Sequence, residues 1–356
     1  MDSNRISFLV KSKLQVTPSI TKIVLEPQDP DFTYQAGQFL TFLFDHLAEK
    51  EVRRSYSLCT APSVDPLPAI SVRKIPNGLV SRYLCDVLTE GTELHSLPPA
   101  GQFTLPEHAR DIFLIGGGSG VGPLFGLLKE ALLTRPELRI TFLNANTRHQ
   151  DILFGKDLFY LAREYYDRMT LLHFVSEGVT EAQEDATNGV PIEWIHGRLG
   201  NARLEMLVRQ YQTGPPELVH FYVCGPEGLM LKTENTLYFM GYARTQVHHE
   251  QFIVAPPFRP SAEIYSDARV AISYRGQILE FPVAAGQTIL EAAERAGVSL
   301  PFSCRSGSCT TCQAQCTEGL VDMYMDAGRM DSQMTMGQVF TCVGYPLSDR
   351  VKLEIR

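Results

Sequence analysis

Over the first hundred residues, apolar positions come in short β-branched and aromatic runs broken by Pro, Gly, Asp and Asn. "SITKIVLEP" (19–27), "QFLTFLFD" (38–45), "RRSYSLC" (53–59) and "AISVRKI" (69–75) each read as a strand. A single helical stretch, "LVSRYLCDVL" (79–88), follows Asn77-Gly78. Many short strands with one helix predict an antiparallel β-barrel. From residue 111 the pattern lengthens. "RDIFLIGGGSGVGPLFGLLKEALL" is an apolar strand, a glycine-rich loop and a helix. Strands "LRITFLNAN", "MTLLHFVSE" and "LVHFYVC" then alternate with helices "DILFGKDLFYLAREYY", "LGNARLEMLVRQY" and "GPEGLMLKTENTLYFMG". Such alternation predicts an α/β domain with a parallel sheet covered on both faces.

The proline-rich stretch "VAPPFRPSAEIYSDA" has little periodicity and reads as a linker. Beyond it come a hairpin, "RVAISYRGQILEFPV", turning near Arg275-Gly276, a helix "TILEAAERAG" and a last strand "RVKLEIR". The expected division is therefore a barrel over 1–108, an α/β domain over 109–253, a linker over 254–267 and a third domain over 268–356.

Composition narrows the options. The chain has 356 residues, 44% hydrophobic and 20% charged, within the range of globular proteins. Its net charge of −8 argues against nucleic acid as a partner. No apolar run reaches the length of a membrane span, and "MDSNRISFLVKSKL" does not read as a signal peptide, so a cytoplasmic location is expected. In that compartment thiols stay reduced, which disfavours a disulfide reading of the eight cysteines.

Five of those cysteines lie beyond residue 300. Cys304, Cys309 and Cys312 are spaced C-x4-C-x2-C, and Cys342 stands thirty residues later. Zinc sites usually pair their ligands as two close couples, whereas this asymmetric spacing is the plant-type [2Fe–2S] pattern. Gly307 and the small Ser and Thr neighbours let a loop wrap closely and direct N–H groups toward sulfur. Cys316 is taken as a bystander. The segment resembles plant-type ferredoxins, which implies a β-grasp fold and one-electron transfer.

The loop "GGGSGVGP" (116–123) sits between strand and helix, where backbone N–H groups can meet a pyrophosphate. It departs from G-x-G-x-x-G because Pro123 takes the sixth position after Gly118 and Gly120. Together with "CGPEGLM" (224–230) it resembles the nicotinamide domain of the ferredoxin–NADP reductase superfamily. That resemblance implies Cys224 near the hydride-transfer position, followed by Gly225 and Pro226. No acidic ribose ligand is evident about twenty residues on. Thr147 and Arg148, after the second strand of this domain, are instead candidates for a 2′-phosphate, which tilts the donor toward NADPH over NADH.

"RRSYSL" (53–58) resembles the R-x-Y-S flavin motif of the same superfamily. The resemblance implies a phosphate partner in Arg54, a stacking ring in Tyr56 and a hydrogen bond to the flavin N5 edge from Ser57. Gly78 and Ser81 resemble its Gly-x-x-Ser phosphate element, and "PAGQF" (99–103) the loop closing the barrel. "HEQF" (249–252) resembles the Glu-x-Phe that ends the nicotinamide domain, placing Glu250 and Phe252 beside the flavin. The Gly-x-x-Ser element favours FAD over FMN.

A nicotinamide gives electrons in pairs and an iron–sulfur cluster takes them singly, so a flavin belongs between them. The expected activity is an NAD(P)H:acceptor oxidoreductase, with Ser57, Cys224 and Glu250 at the hydride-transfer site. The layout is similar to reductase components of bacterial multicomponent oxygenases, the phenylacetyl-CoA epoxidase type among them. That similarity implies a separate oxygenase as partner; a stand-alone dehydrogenase or a ferredoxin-type reductase serving another protein acceptor is the alternative. Glu318, Asp322 and Asp326, after the third cysteine of the loop, form a candidate acidic steering patch.

Overall fold

The computed structural model describes residues 5–49, 51–178, 192–252, 265–303, 305, 307, 310–323 and 337–355. Chain contacts divide it into two compact units, Met1–Glu250 and Gln251–Arg356.

In the first unit, β1 (Ile6–Thr17), β2 (Ile20–Pro27), β3 (Phe39–Phe44), β4 (Val52–Ser57), β5 (Ala69–Arg73) and β6 (Glu93–Ser96) pair antiparallel in the order β4-β3-β6-β1-β2-β5. The two edge strands converge where Leu58 bridges Ile70, which curls the sheet into the expected barrel. Its interior is filled by Phe8, Leu25, Phe42, Phe44, Ile70 and Val72, alternating with outward polar residues. The helical stretch is one α-helical turn, α1 (Leu79–Arg82), continued by a π-helical turn over Tyr83–Val87.

The α/β region forms a six-stranded, wholly parallel sheet of β7 (Asp111–Gly116), β8 (Arg139–Asn146), β9 (Met169–Val175), β10 (Ile192–His196), β11 (Val219–Cys224) and β12 (Val247–Glu250). The order is β10-β9-β8-β7-β11-β12. Helices α2 (Val121–Thr134) and α3 (Gly155–Glu164) cover one face, and α4 (Asn201–Tyr211) and α5 (Glu227–Phe239) the other. The fully buried β7 reads as a continuous apolar run because both its faces are covered. One core joins the barrel to this sheet: Ile20, Ala36, Cys59, Ala61, Ala69 and Phe103 pack in the same cluster as Leu114, Leu124, Leu128 and Tyr222.

The second unit contains β13 (Ala268–Tyr274), β14 (Gln277–Val283), α6 (Ile289–Arg295), β15 (Gln313–Glu318), β16 (Val321–Met323), β17 (Gln338–Phe340), β18 (Gly344–Pro346) and β19 (Arg350–Ile355). Its main sheet runs β14-β13-β19-β15-β17, with β13 and β19 parallel, and α6 packs over it. Thr288 and Glu291 form a reciprocal capping box that fixes the start of α6. This is the β-grasp arrangement of hairpin, helix and returning strand.

Candidate functional site

The C-terminal ends of the parallel strands build the site. Cys224 closes β11, with Gly116 of β7 and Glu250 of β12 as its cross-strand neighbours. Ser57, the last residue of barrel strand β4, donates its hydroxyl proton to Glu250 Oε2 at 2.8 Å. Both side chains are buried, and Cys224 is fully so. Burial, followed by the neighbouring Glu250 carboxylate, pushes the Cys224 thiol well above its usual range, so it stays neutral at physiological pH. Three of the sequence-predicted residues thus converge from two separate sheets.

Tyr56 precedes Ser57 on β4 and packs at the edge of the barrel core. Burial raises its phenol well above the ordinary value, which leaves a neutral aromatic ring. Arg54 is exposed, and its Nη1 donates to the Arg53 carbonyl at 2.6 Å, leaving other guanidinium donors for a phosphate. Gly78 caps α1. Ser81 is buried, and its Oγ accepts from the Ile75 N–H at 3.2 Å, so this hydroxyl braces the turn from within. Phe252 is 46% exposed.

The glycine loop lies between β7 and α2. Gly118 adopts a left-handed φ of +57°, and its N–H donates to Asn146 Oδ1 at 3.1 Å. A Cβ on Gly120 would fall 2.2 Å from the Cys224 carbonyl oxygen, so only glycine lets the loop close against β11. Pro123 lies in the first turn of α2, where its missing N–H breaks no helical bond.

A cleft of about 480 Å³ opens beside this loop, lined among others by Gly118, Ser119, Thr147, Pro226, Arg198 and Lys232. Gly225 precedes Pro226, which caps α5. Arg148 is not among the lining residues: its Nε pairs with Glu177 Oε2 at 3.0 Å on the surface. The cations that do line the cleft are Arg73 from β5, Arg198 after β10 and Lys232 on α5. None of the three makes an ion pair with a carboxylate among the described residues, and against one lining carboxylate, Asp151, they leave the cleft net positive and suited to phosphates. Sequence reasoning passed over these residues because nothing in their local spacing marks them.

In the second unit, the thiols of Cys312 and Cys342 lie 3.3 Å apart at buried positions, a spacing that fits two ligands of one centre. The Thr341 N–H donates to the Cys312 carbonyl at 3.1 Å, tying the two cysteine-bearing segments together, and its buried Oγ1 has no hydrogen-bond partner among the described residues. The donor set therefore fits a thiolate-held cluster. Cys304 and Cys309 lie outside the described residues. Cys316 is four strand residues past Cys312, about 13 Å along β15, and its thiol points to the Glu318 and Gly319 carbonyls. Of the acidic patch, Glu318 pairs with Lys352 at 2.5 Å and Asp322 accepts from the Tyr265 hydroxyl at 2.5 Å. Both carboxylates are thus engaged within the domain, and Asp326 lies outside the described residues.

Comparison with known proteins follows the same three-part order. The chain matches the family model of an oxidoreductase FAD-binding domain over residues 7–105, an oxidoreductase NAD-binding domain over 114–235 and a 2Fe-2S iron-sulfur cluster binding domain over 272–347. It is 28% identical to the ferredoxin reductase component of 3-ketosteroid-9-alpha-monooxygenase from Rhodococcus rhodochrous, covering 99% of this chain and 97% of that protein. It is 27% identical to a subunit of 1,2-phenylacetyl-CoA epoxidase from Escherichia coli K12, covering 97% and 95%. Among solved structures, phthalate dioxygenase reductase superposes with a TM-score of 0.57 at 23% identity, covering 99% and 98%. An intact type IV self-sufficient cytochrome P450 monooxygenase superposes at 0.73 and 20% identity, where this chain spans 41% of the longer protein. Both structures share the fold. Among the described residues, no helix is long and apolar enough to cross a membrane.

Proposed function

We propose that this chain, which belongs to the FAD- and NAD-dependent reductases of the ferredoxin–NADP reductase superfamily that carry a C-terminal [2Fe–2S] domain, supplies electrons from NAD(P)H to a separate oxygenase. A bound flavin would supply the exchange between two-electron hydride chemistry and the single-electron chemistry of a cluster. The observation that carries this reading is the Ser57–Glu250 hydrogen bond beside Cys224, which joins the end of the flavin-motif strand to the end of the nicotinamide sheet.

Each residue has a role in that reading. Arg73, Arg198 and Lys232 attract the dinucleotide phosphates, and the glycine loop brings backbone close to them. Cys224, held neutral, offers a small surface without repelling electron density. Ser57 donates its hydroxyl hydrogen bond to Glu250, which holds both side chains at the junction where a flavin edge would be bound. Tyr56 supplies a ring for stacking and Arg54 a phosphate partner. Cys304, Cys309, Cys312 and Cys342 hold the cluster.

The functional divisions are taken as 1–108 for flavin, 109–253 for nicotinamide, 254–267 as linker and 268–356 for the cluster. Its place is the cytoplasm, where reduced nicotinamide is regenerated. The relatives named as monooxygenase and epoxidase components support an oxygenase as acceptor. The test is anaerobic titration of purified holoprotein with NAD(P)H. Bleaching of flavin absorbance followed by appearance of the reduced-cluster EPR signal is expected; bleaching that never reaches the cluster would overturn the circuit. Reconstitution with candidate oxygenases then identifies the acceptor, and an organic substrate oxidised by the chain alone would favour the dehydrogenase alternative.

A further inference from the structure

The chain beyond Ser57 runs directly under helix α2. A Cβ on Gly126 would lie 2.8 Å from the Thr60 carbonyl oxygen and 3.3 Å from that of Leu58. One turn earlier, a Cβ on Gly122 would lie 2.5 Å from Ser71 Oγ and 3.9 Å from the Cys59 Cβ. Two glycines at i and i+4 therefore bring the helix backbone against the segment Leu58–Ala61. One turn further on, Lys129, only 8% exposed, forms an ion pair with Asp65. The same Asp65 oxygen accepts the Ala61 N–H at 2.7 Å. The ammonium also lies 4.7 Å over the Phe125 ring. On the barrel side, Thr60 Oγ1 receives the Tyr34 hydroxyl at 2.9 Å and the Ala69 N–H at 3.1 Å.

An ion pair between a buried ammonium and a part-buried carboxylate is a poor source of stability, because desolvating the ammonium offsets much of the Coulomb gain. What it provides is direction: the ammonium must meet one carboxylate, and that carboxylate is tied to one backbone N–H. Lys129 lies about 12 Å along the helix from Val121, where α2 leaves the glycine loop. The loop in turn abuts the Cys224 carbonyl through Gly120. A single helix thus spans from the dinucleotide loop to the backbone that continues from Tyr56 and Ser57.

We propose that Lys129 and Asp65, seated by the close approach at Gly126, are positioning residues that fix Tyr56 and Ser57 relative to Cys224 and Glu250 and so set the alignment for hydride transfer. The inference rests on the reading of this junction as the flavin–nicotinamide site. None of these residues touches the reacting groups; they act through the segment Leu58–Ala61.

The test uses the full-length holoprotein with Lys129→Met, Asp65→Asn, the double variant K129M/D65N, Lys129→Arg and Gly126→Ala. Three quantities are measured: flavin content with melting temperature, hydrogen exchange of the Ala61 amide, and anaerobic flavin bleaching at varied NAD(P)H. In Lys129→Met, Asp65→Asn and Gly126→Ala, the disrupting single variants, flavin content is retained and Ala61 exchanges about tenfold faster or more. The limiting bleaching rate falls about tenfold or more, while the half-saturating nucleotide concentration moves less than about twofold. Lys129→Arg restores most of the rate. The double variant, which leaves no unpaired buried charge, regains the melting temperature but not the rate. If the rate recovers in step with the melting temperature, or stays native in folded Lys129→Met, Asp65→Asn or Gly126→Ala, the inference is overturned. Should Lys129→Met yield no holoprotein, the double variant and Gly126→Ala decide by the same criteria. Native protein whose flavin NAD(P)H does not bleach would instead overturn the underlying reading.

Discussion

The Ser57 hydroxyl meets the Glu250 carboxylate at 2.8 Å although 193 positions separate them in the chain. One residue ends an antiparallel barrel strand and the other ends the outermost strand of a parallel sheet. Cys224 lies beside Glu250 in the ladder, so the contact marks where the two sheets present their chemistry together.

Breaking this contact should slow hydride transfer without emptying the nucleotide cleft. Hydrogen bonds to charged groups contribute about 1.5–3 kcal/mol, so Ser57→Ala and Glu250→Gln are expected to lower the limiting flavin-reduction rate about ten- to hundredfold. Stopped-flow bleaching at saturating NAD(P)H measures this. A native rate in both variants would remove these residues from the reaction.

The cluster ligands should be separable from the flavin route. Cys342→Ser is expected to abolish the cluster's visible and EPR signals, since Cys342 faces Cys312 at 3.3 Å. NAD(P)H-driven ferricyanide reduction should stay within about twofold, because the matched FAD-binding and NAD-binding domains both lie in the first unit and Cys342 in the second. Loss of both activities in a folded variant would contradict the modular order.

Nucleotide affinity should follow the cations of the cleft rather than the one visible in the sequence. Losing a charge-assisted contact in Arg198→Leu or Lys232→Met should raise KM for NAD(P)H about tenfold with kcat little changed. Arg148 is already engaged by Glu177 in an exposed pair worth about 0–1 kcal/mol, so Arg148→Gln should shift KM less than about fivefold. A larger effect at Arg148 than at Arg198 would reverse this assignment, and running NADH beside NADPH shows which phosphate each cation serves.

One buried histidine, His173, and one half-buried, His248, predict an acid-sensitive fold. His173 stacks on Trp194 at 4.4 Å, and its Nδ1 has no hydrogen-bond partner among the described residues. Burial and then His149 lower its pKa from 6.5 to about 3; burial, His220 and His249 lower that of His248 to about 4. The unfolded chain binds these protons more readily, so the contribution is complete above about pH 6.5 and is lost as pH falls toward those folded values. Each histidine adds a slope of up to about 1.4 kcal/mol per pH unit in that window. The melting temperature should therefore drop between pH 7 and pH 5, and His173→Phe should flatten the decline. An unchanged slope in that variant would remove His173 as a cause.

Some elements were invisible to pattern reading. The twelve-residue β1 lacks a clear strand pattern because Lys11, Ser12 and Lys13 interrupt its apolar alternation, yet it pairs on both sides, with β2 and β6. The stretch from Leu79 reads as an ordinary helix, whereas its second half is π-helical. Arg198 and Lys232 come from different elements and become neighbours of one cleft only after folding.

The sequence by itself determined the features whose chemistry depends on near neighbours in the chain. The C-x4-C-x2-C spacing, the glycine loop and the R-x-Y-S strand are contiguous, so their backbone demands are written where they act. The tertiary structure decided which side chains meet. The strand order β10-β9-β8-β7-β11-β12 gathers distant strand ends along one edge, and the core shared with the barrel brings Ser57 to Glu250. It also ties Arg148 to Glu177 and engages Glu318 and Asp322 within their own domain. A charged side chain's role depends on which counter-charge lies within a few ångströms, and the fold alone supplies that distance.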